Sequence, residues 1–393
     1  MAILSGKARL FISGRRGQME KIRSACKGQK NIIWVHSASY GEFEEVRPVI
    51  DCIKAAAPGK YRFLVTFFSP SGYEHLKNDP APDWVFYMPL DTPRNARRFL
   101  DAVRPVKMIF CITDFWLFHI AGLRKRGIDT YVVSARFREG MSYFGPLGRP
   151  YIRAFKGFRQ IFTSNEESLM VLRSHGVENC SLMGDSRMDR VLALAAQQWS
   201  DPVIDAWTGG RKVFVGGSTL PDEDSSIMAA LANAHPEDKF LIVPHEVGEK
   251  DVAALRSLFK GKTALYTEPD PDAQVLIVNI VGILSRIYRY GFAAYVGAGF
   301  DGAPHSIIEP AAYGIPVSFG PQFGPVWHCE KMIEAGCGFA LGGVRDALDW
   351  YERLKKEPEF TASCGKAARD YCVSGSGAAS KIALSIIGNQ DGK

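Results

Sequence analysis

Glu42 ends an unusual run, Ile32-Ile33-Trp34-Val35-His36-Ser37-Ala38-Ser39-Tyr40-Gly41-Glu42. The apolar stretch Ile32–Val35 reads as a buried strand, Ser37-Ala38-Ser39 and Gly41 as a loop, and Glu42 as the start of a helix. That order puts a carboxylate at the mouth of a strand-to-helix loop, where open α/β sheets bind ligands. A helix N-terminus favours the ionised form, as a general base requires. An acid in a first helical turn is also common with no chemistry attached, so the position alone leaves both readings open. Glu44 and Glu45 read as ordinary helix acids. Asp114, in Ile112-Thr113-Asp114-Phe115-Trp116, ends a second strand candidate and is expected beside Glu42 on the same rim.

A second constellation spans 297–321 and opens Gly297-Ala298-Gly299-Phe300-Asp301-Gly302-Ala303-Pro304-His305-Ser306. Here a glycine-rich loop follows a strand, and a helix is expected from Pro304 or His305. Glycines let backbone approach a ligand, and free amides at a helix start suit a phosphate. Glu309 falls one turn into that helix, where a carboxylate can hold ribose hydroxyls. The glycine spacing is not that of the dinucleotide fingerprint. Gly216-Gly217-Ser218-Thr219 is expected as a loop after another strand, offering hydroxyls and amides to a phosphate or sugar, or a simple helix cap. His245 follows the next strand, as a contact or as a structural histidine, and Gly282 marks a third loop. All these loops fall at one end of one sheet, and that convergence raises the site above its parts. Arg187 is a candidate for reaching an anionic ligand, with Asp185 and Asp189 as alternative partners. No histidine and acid have metal-ligand spacing, and there is no Walker loop or nucleophile elbow.

The elements that position these residues alternate through the chain. Strand candidates in the first half are 32–35, 62–66, 84–88, 107–112, 130–134, 160–163 and 180–183. In the second half they are 212–215, 240–243, 264–267, 275–278, 293–296 and 316–319, with helix-length segments between. Short β-rich apolar runs separated by helices indicate parallel sheets covered on both faces. A chain of 393 residues exceeds the roughly 250–300 at which single cores stop growing. The expected fold is α/β, two Rossmann-like doubly wound domains facing across a cleft. Residues 1–198 form the first domain, 199–211 with Pro202 and Gly209-Gly210 the linker, and 212–393 the second. C-terminal helices are expected at 346–356 and 378–387, one of them able to pack back on the first domain.

Composition narrows the classes. No stretch has the ~18 uncharged apolar residues of a membrane span, Met1–Leu10 is no signal peptide, and eight cysteines without a CxxC pair fit a reducing cytoplasm. Residues 1–200 hold 30 Lys and Arg against 18 Asp and Glu, whereas 201–393 hold 18 against 24. The basic excess gathers at Lys7, Arg9, Arg15, Arg16, Lys21, Arg23, Lys27 and Lys30. It gathers again at Arg149, Arg153, Lys156 and Arg159, which alternate with Tyr151, Phe155 and Phe158. Basic residues with aromatic neighbours suit an anionic membrane surface or a nucleic acid. No nucleic-acid motif is present and the glycine loop would then be unexplained, so no nucleic-acid partner is expected.

Together these constellations resemble the 3-deoxy-D-manno-octulosonic acid (Kdo) transferases, glycosyltransferases of the two-domain GT-B fold. The resemblance rests on Val35–Phe43, Pro89-Leu90-Asp91, Asp114-Phe115-Trp116, Ser134-Ala135-Arg136, Gly184–Asp189, Gly217-Ser218-Thr219, Pro244-His245-Glu246 and His305–Pro310, in family order over nearly the whole chain. It implies inverting transfer of Kdo from CMP-Kdo to a lipid A precursor at the cytoplasmic face of a bacterial inner membrane, with no cofactor and no metal. It implies Glu42 as general base with Asp114 nearby, and Ser39, Gly41 and Arg136 on the acceptor side. Arg187, Ser218, Thr219, His245, Gly282, Gly299, His305, Ser306 and Glu309 would serve the donor. Three departures stand out: no hydrophobic anchor at the start, Ser306 where many relatives have Asn, and no Arg beside His245. The chain is then peripheral or lacks an anchor. The competing enzyme class is another GT-B transferase using a nucleoside-diphosphate sugar and a lipid-linked acceptor.

Overall fold

The computed structural model describes residues 6–388 apart from 325; expectations about the first five residues and an anchor before them lie outside it, as do the side chains of residues 6–8, Lys7 included. Two compact units result, one of residues 1–190 with 375–393, the other of 191–374.

The first unit holds a seven-stranded sheet: β1 (Ile32–Ser37), β2 (Arg62–Phe67), β3 (Trp84–Tyr87), β4 (Lys107–Cys111), β5 (Asp129–Ala135), β6 (Gln160–Thr163) and β7 (Cys180–Leu182). All neighbours are parallel, in the order β3-β2-β1-β4-β5-β6-β7. Every residue of β1 is buried, because helices cover both faces and successive side chains point to opposite ones. Ile32 and Trp34 enter one apolar cluster, and Ile33 and Val35 the other. The strand order reverses between β1 and β4, so the crevice at their carboxyl ends is the topological switch point, the usual ligand position in such sheets.

The second unit repeats the plan with β8 (Val213–Thr219), β9 (Phe240–Pro244), β10 (Thr263–Leu265), β11 (Val275–Ile277), β12 (Gly291–Val296), β13 (Val317–Phe319) and β14 (Gly338–Ala340). They are parallel in the order β10-β11-β9-β8-β12-β13-β14, so this switch point lies between β8 and β12. Every strand expected from sequence is present. β14, three residues opened by a glycine at the sheet's edge, gave no apolar run to find.

Other expectations need correction. Gly216 to Thr219 belong to β8 and not to a loop after it. Glycine is required there because a Cβ on Gly216 would lie 2.5 Å from Met228 Sδ and one on Gly217 2.0 Å from Tyr288 Oη. The expected linker contains the helix Pro202–Thr208, whose first amides are capped by Asp201 Oδ1 (3.0 and 3.1 Å) and whose end is set by Gly209 at φ +58°. The first unit ends its long leading segment at Arg190, ahead of that helix.

The last helix, Ala378–Gly388, belongs to the first unit. Its Ala379, Ile382, Ala383 and Ile386 share a buried cluster with Val46, Val49, Ile50 and Ile53 of the helix Tyr40–Ala56. Asp189 fastens its start, accepting from Gly377 N (2.7 Å) and Ala379 N (3.0 Å). The helix that carries Glu42 is thereby braced by the end of the chain.

The basic stretches also change. Phe155 and Phe158 turn inward into the core, while Arg149, Arg153, Lys156 and Arg159 stay exposed. Arg15 is spent on structure, donating to the carbonyls of Met88 (3.0 Å), Phe11 (3.0 Å) and Phe68 (2.8 Å). Among the described residues no helix is long and apolar enough to cross a membrane.

Candidate active site

Ser39 caps the helix Tyr40–Ala56, its Oγ accepting from Glu42 N at 3.4 Å, and Glu42 Oε2 reaches back to accept from Ala38 N at 2.7 Å. A capping residue followed three positions later by a glutamate that returns to the loop is the logic of the capping box. The carboxylate is more than a cap, however. Burial pushes its pKa up to about 7, against the Ala38 amide, with the charges of Asp114 and Glu45 adding and Arg136 opposing. The expectation that the helix start keeps Glu42 fully ionised therefore fails: removal from water outweighs the dipole. A carboxylate that titrates near neutrality is matched to taking a proton from a hydroxyl. Gly41 is exposed, with nothing within 4 Å of the position a Cβ would take.

Asp114 follows β4 and is held by a buried relay. Trp34 Nε1 donates to Thr66 Oγ1 (2.8 Å), Thr66 Oγ1 lies 2.9 Å from His36 Nδ1, and His36 Nε2 lies 2.9 Å from Asp114 Oδ2. A carboxylate at Oδ2 needs a donor on Nε2, and the Thr66 hydroxyl can give its proton to Nδ1. That tautomer serves Asp114 but leaves no lone pair on Nε2 for the indole N–H of Trp116, which is directed at the same nitrogen. Trp116 closes one side, its Nε1 3.0 Å from the same nitrogen and its ring edge-on to the imidazole. Sequence reading gave His36, Thr66 and Trp34 no role; a histidine inside an otherwise apolar strand was the available signal.

Arg136 and Arg187 are both engaged with carboxylates, and Arg187 takes Asp185, one of the two alternative partners its sequence context offered. Arg136 Nη2 donates to both oxygens of Glu45 (2.7 and 2.8 Å), and Arg187 grips Asp185 through Nε and Nη2 (3.1 and 2.7 Å) while lying 3.4 Å from Glu45. Glu45 is thus no ordinary helix acid: it is 3% exposed, and burial raises its pKa against the pull of Arg187 and Arg136. Two guanidiniums and two carboxylates neutralise one another here. Arg187 lies in the first unit, where its charge has a local partner.

In the second unit the loops of the switch point are clamped by one buried side chain. Asp224 Oδ2 accepts from Leu220 N (2.9 Å) and Ala298 N (2.8 Å), and Oδ1 from Tyr295 Oη (2.6 Å). Gly297 N is bonded to Gly217 O at 2.9 Å. The amides of Gly297 and Ala298 are therefore already used within the protein. Gly299 packs on Gly320, where a Cβ would lie 2.6 Å from the Gly320 nitrogen. The expected helix start at Pro304 or His305 is displaced: the helix is Ile308–Ala312, so His305 and Ser306 sit in the loop and Glu309 in the first turn.

Several donor candidates do meet. His245 N donates to Thr219 O (2.9 Å), His305 N to Gly297 O (3.1 Å), and the two imidazoles stack with centroids 4.7 Å apart. Burial, then His245, lowers the pKa of His305. Thr219 Oγ1 is buried without a partner among the described residues, and Thr219 lines a cavity of about 370 Å3 with Ser225, Ser226 and Glu246. A buried hydroxyl left unpaired is costly unless a ligand or water meets it. Gly282 stands apart, exposed at φ +98°. One described trio, His235, Glu237 and Asp238, has metal-like proximity, but Lys355 already bonds Glu237 and Asp238.

The 3-deoxy-D-manno-octulosonic-acid transferase (kdotransferase) family model matches residues 12–190. The chain is 27% identical over 372 residues to the 3-deoxy-D-manno-octulosonic acid transferase of Bordetella pertussis, covering 88% of this chain and 84% of that one. It is 25% identical over 328 residues to the enzyme of that name from Aquifex aeolicus (strain VF5), covering 81% and 84%. In fold it is similar to the UDP-GlcNAc 2-epimerase of Neisseria meningitidis, with a TM-score of 0.66 at 13% identity over 91% of this chain and 100% of that one. That likeness concerns architecture alone, the GT-B-like pairing of two doubly wound units. The family's pattern across the first unit and relatives that span both units make the chain similar to the Kdo transferases, a family of glycosyltransferases.

Proposed function

We propose that this chain moves Kdo from CMP-Kdo to a hydroxyl of a lipid A precursor, with inversion, and that Glu42 is the general base. The observation that carries the reading is the Glu42 carboxylate, held by Ala38 N at a topological switch point and titrating near 7. In the proposed step the acceptor oxygen bonds to the anomeric carbon of Kdo as its proton passes to Glu42. The bond from that carbon to the CMP phosphate oxygen breaks, and its electron pair leaves with CMP. The transition state has oxocarbenium character. Asp114, fixed by His36, accepts a second hydroxyl of the acceptor. Thr219, His245 and His305 meet the donor, with Ser306 and Glu309 beside them. The neutral Glu45, Arg136, Asp185 and Arg187 network supports the base, a role that replaces direct phosphate binding by Arg187.

The reaction belongs at an anionic membrane surface on the cytoplasmic side, where a lipid acceptor resides. The decisive experiment is mass spectrometry of products from CMP-Kdo and a tetraacylated lipid A precursor, with wild type and Glu42→Ala. Product from wild type, none from Glu42→Ala, and CMP binding retained by both is the expected result. Near-wild-type turnover by Glu42→Ala removes the assigned base. Calorimetric binding of UDP in preference to CMP removes the assigned donor and favours a nucleoside-diphosphate sugar.

A further inference from the structure

Beside the Asp114 loop, the helices Leu117–Lys125 and Arg149–Phe155 enclose an open groove of about 760 Å3, within the ~300–1,000 Å3 range of small-ligand sites. Its walls are apolar, formed by Leu117, Phe118, Ala121, Pro150 and Ala154. Four cations line it as well: Arg124, Lys125, Arg149 and Arg153. Among the described residues none of the four is paired with an acidic side chain, and all are exposed. Arg124 and Lys125 end their helix, where the dipole favours cations; Arg149 opens its helix, where it gains nothing from the dipole.

The surroundings extend the apolar character. Phe118 is 48% exposed, Leu90 49% and Leu147 89%. Leu90 precedes Asp91, whose carboxylate accepts from the amides of Phe118 (3.0 Å) and His119 (3.1 Å) and so fixes the start of one wall. The loop leading to Arg149 is pinned to the Asp114 loop by Tyr143 Oη, which donates to Thr113 O at 2.5 Å. An apolar trough with a cationic lining, one wall of which begins at Leu117, three residues along the chain from Asp114, is complementary to one chemistry: a hydrocarbon chain attached to a phosphate-bearing head.

We propose that this groove binds an acyl chain of the phosphorylated lipid acceptor, with Arg149, Arg153, Arg124 and Lys125 meeting its phosphate. The proposal rests on the reading that the acceptor is lipid-linked and deepens it by assigning where the lipid lies. The acyl chain aligns the sugar head with the carboxyl ends of β1 and β4, so binding energy from a remote part of the substrate serves positioning. A surface that merely touched the bilayer would need the cations but not the trough.

The test uses the full chain and dodecyl phosphate as probe, titrated calorimetrically without donor. Dodecyl phosphate is expected to bind at least tenfold more tightly than inorganic phosphate or dodecyl maltoside. Ala121→Trp, which fills the trough from an exposed wall position, should abolish that binding, and Arg149→Gln with Arg153→Gln should weaken it about tenfold. The same variants should raise KM for a tetraacylated acceptor about tenfold with kcat kept, and Ala121→Trp, which removes no charge, should leave cosedimentation with phosphatidylglycerol vesicles unchanged. Dodecyl phosphate binding no better than dodecyl maltoside overturns the proposal. So does loss of vesicle binding with acceptor KM unchanged, which makes the groove a bilayer contact. Glu42→Ala should bind the probe like wild type. Probe binding without transfer by wild type would therefore defeat the transferase reading and leave the groove standing.

Discussion

Replacing Glu42 by Gln separates the cap from the base. Glutamine also fits the third position of a capping box, and its side-chain oxygen can keep the bond from Ala38 N, so the helix start survives. What disappears is the charge. The folded chain raises the carboxyl from its ordinary 4.5 to about 7, mainly by burial. The folded state therefore holds this proton more tightly than the unfolded one. Wild-type stability falls as pH rises from 4.5 to 7, and the full cost is present above 7. A shift of that size at 1.36 kcal/mol per unit is about 3 kcal/mol, or up to about 10 °C in melting temperature for a domain of this size. Glu42→Gln should thus melt several degrees above wild type at pH 8 and level with it at pH 4.5, while transfer is lost. Scanning calorimetry at the two pH values, with a product assay, reads both. The reasoning fails if the gain is equal at both pH values, since charge is then not its source. It fails also if the variant retains turnover.

The remaining predictions use neighbouring features. In wild type, kcat/KM should fall about tenfold per pH unit below about 7, as Glu42 takes up its proton; Asp114→Asn, which removes a charge that raises the Glu42 pKa, should move that acid limb to lower pH, and an unmoved limb would disconnect the two carboxylates. Gly41→Ala should stabilise the helix by about 0.5–1 kcal/mol yet raise KM for the acceptor, because its methyl enters the open space above the loop; unchanged kinetics would show that the acceptor does not pass there. Asp189→Ala should cost about 1 kcal/mol as a lost cap and speed amide exchange in 377–388 roughly fivefold, with no such change in the second unit's sheet. CMP affinity should be flat from pH 7 to 9 and strengthen below pH 6, since burial lowers the pKa of His305 and protonation adds charge beside the donor site; affinity that peaks above pH 8 would exclude it.

The parallel sheets were legible because buried strands such as Ile32–Val35 announce themselves as apolar β-rich runs, and the loops at their carboxyl ends follow from the fold. The partnerships of charged residues were not. Glu44 and Glu45 are adjacent and alike in sequence, yet Glu45 is buried between Arg136 and Arg187 while Glu44 bonds Arg47 and Arg190 near the surface. Asp224 is one acid among three at a helix start, and only packing shows that it ties Leu220, Tyr295 and Ala298 together. The pairings of Glu45 with Arg136 and Arg187, of Glu44 with Arg190 and of Asp224 with Tyr295 and Ala298 join residues tens of positions apart, beyond any local periodicity. For the same reason the capping signal at Ser39 and Glu42 was readable, whereas the relay from Trp34 through Thr66 and His36 to Asp114, which spans three strands, was not.

Backbone conformation explains why the site residues point where they do. Four of the non-glycine residues in the left-handed region stand at carboxyl ends of strands: Ile112 after β4, Ser134 in the last turn of β5, Ser218 near the end of β8 and Ala298 after β12. For an L-residue this conformation costs roughly 1–2 kcal/mol, and for β-branched Ile112 it is a clear outlier. Strain persists only where the surroundings over-determine it. Here the surroundings are visible: Ile112 N is bonded to Val133 O (2.9 Å), and Ala298 N to Asp224. At β4 the strained step comes two residues before Asp114, and at β5 two residues before Arg136. At β8 it comes one residue before Thr219. In each case a reversal of the backbone re-aims the next polar side chain at the strand end, where straight continuation of the strand would have alternated it between the two buried faces. The chain accepts several kcal/mol of local strain at both switch points.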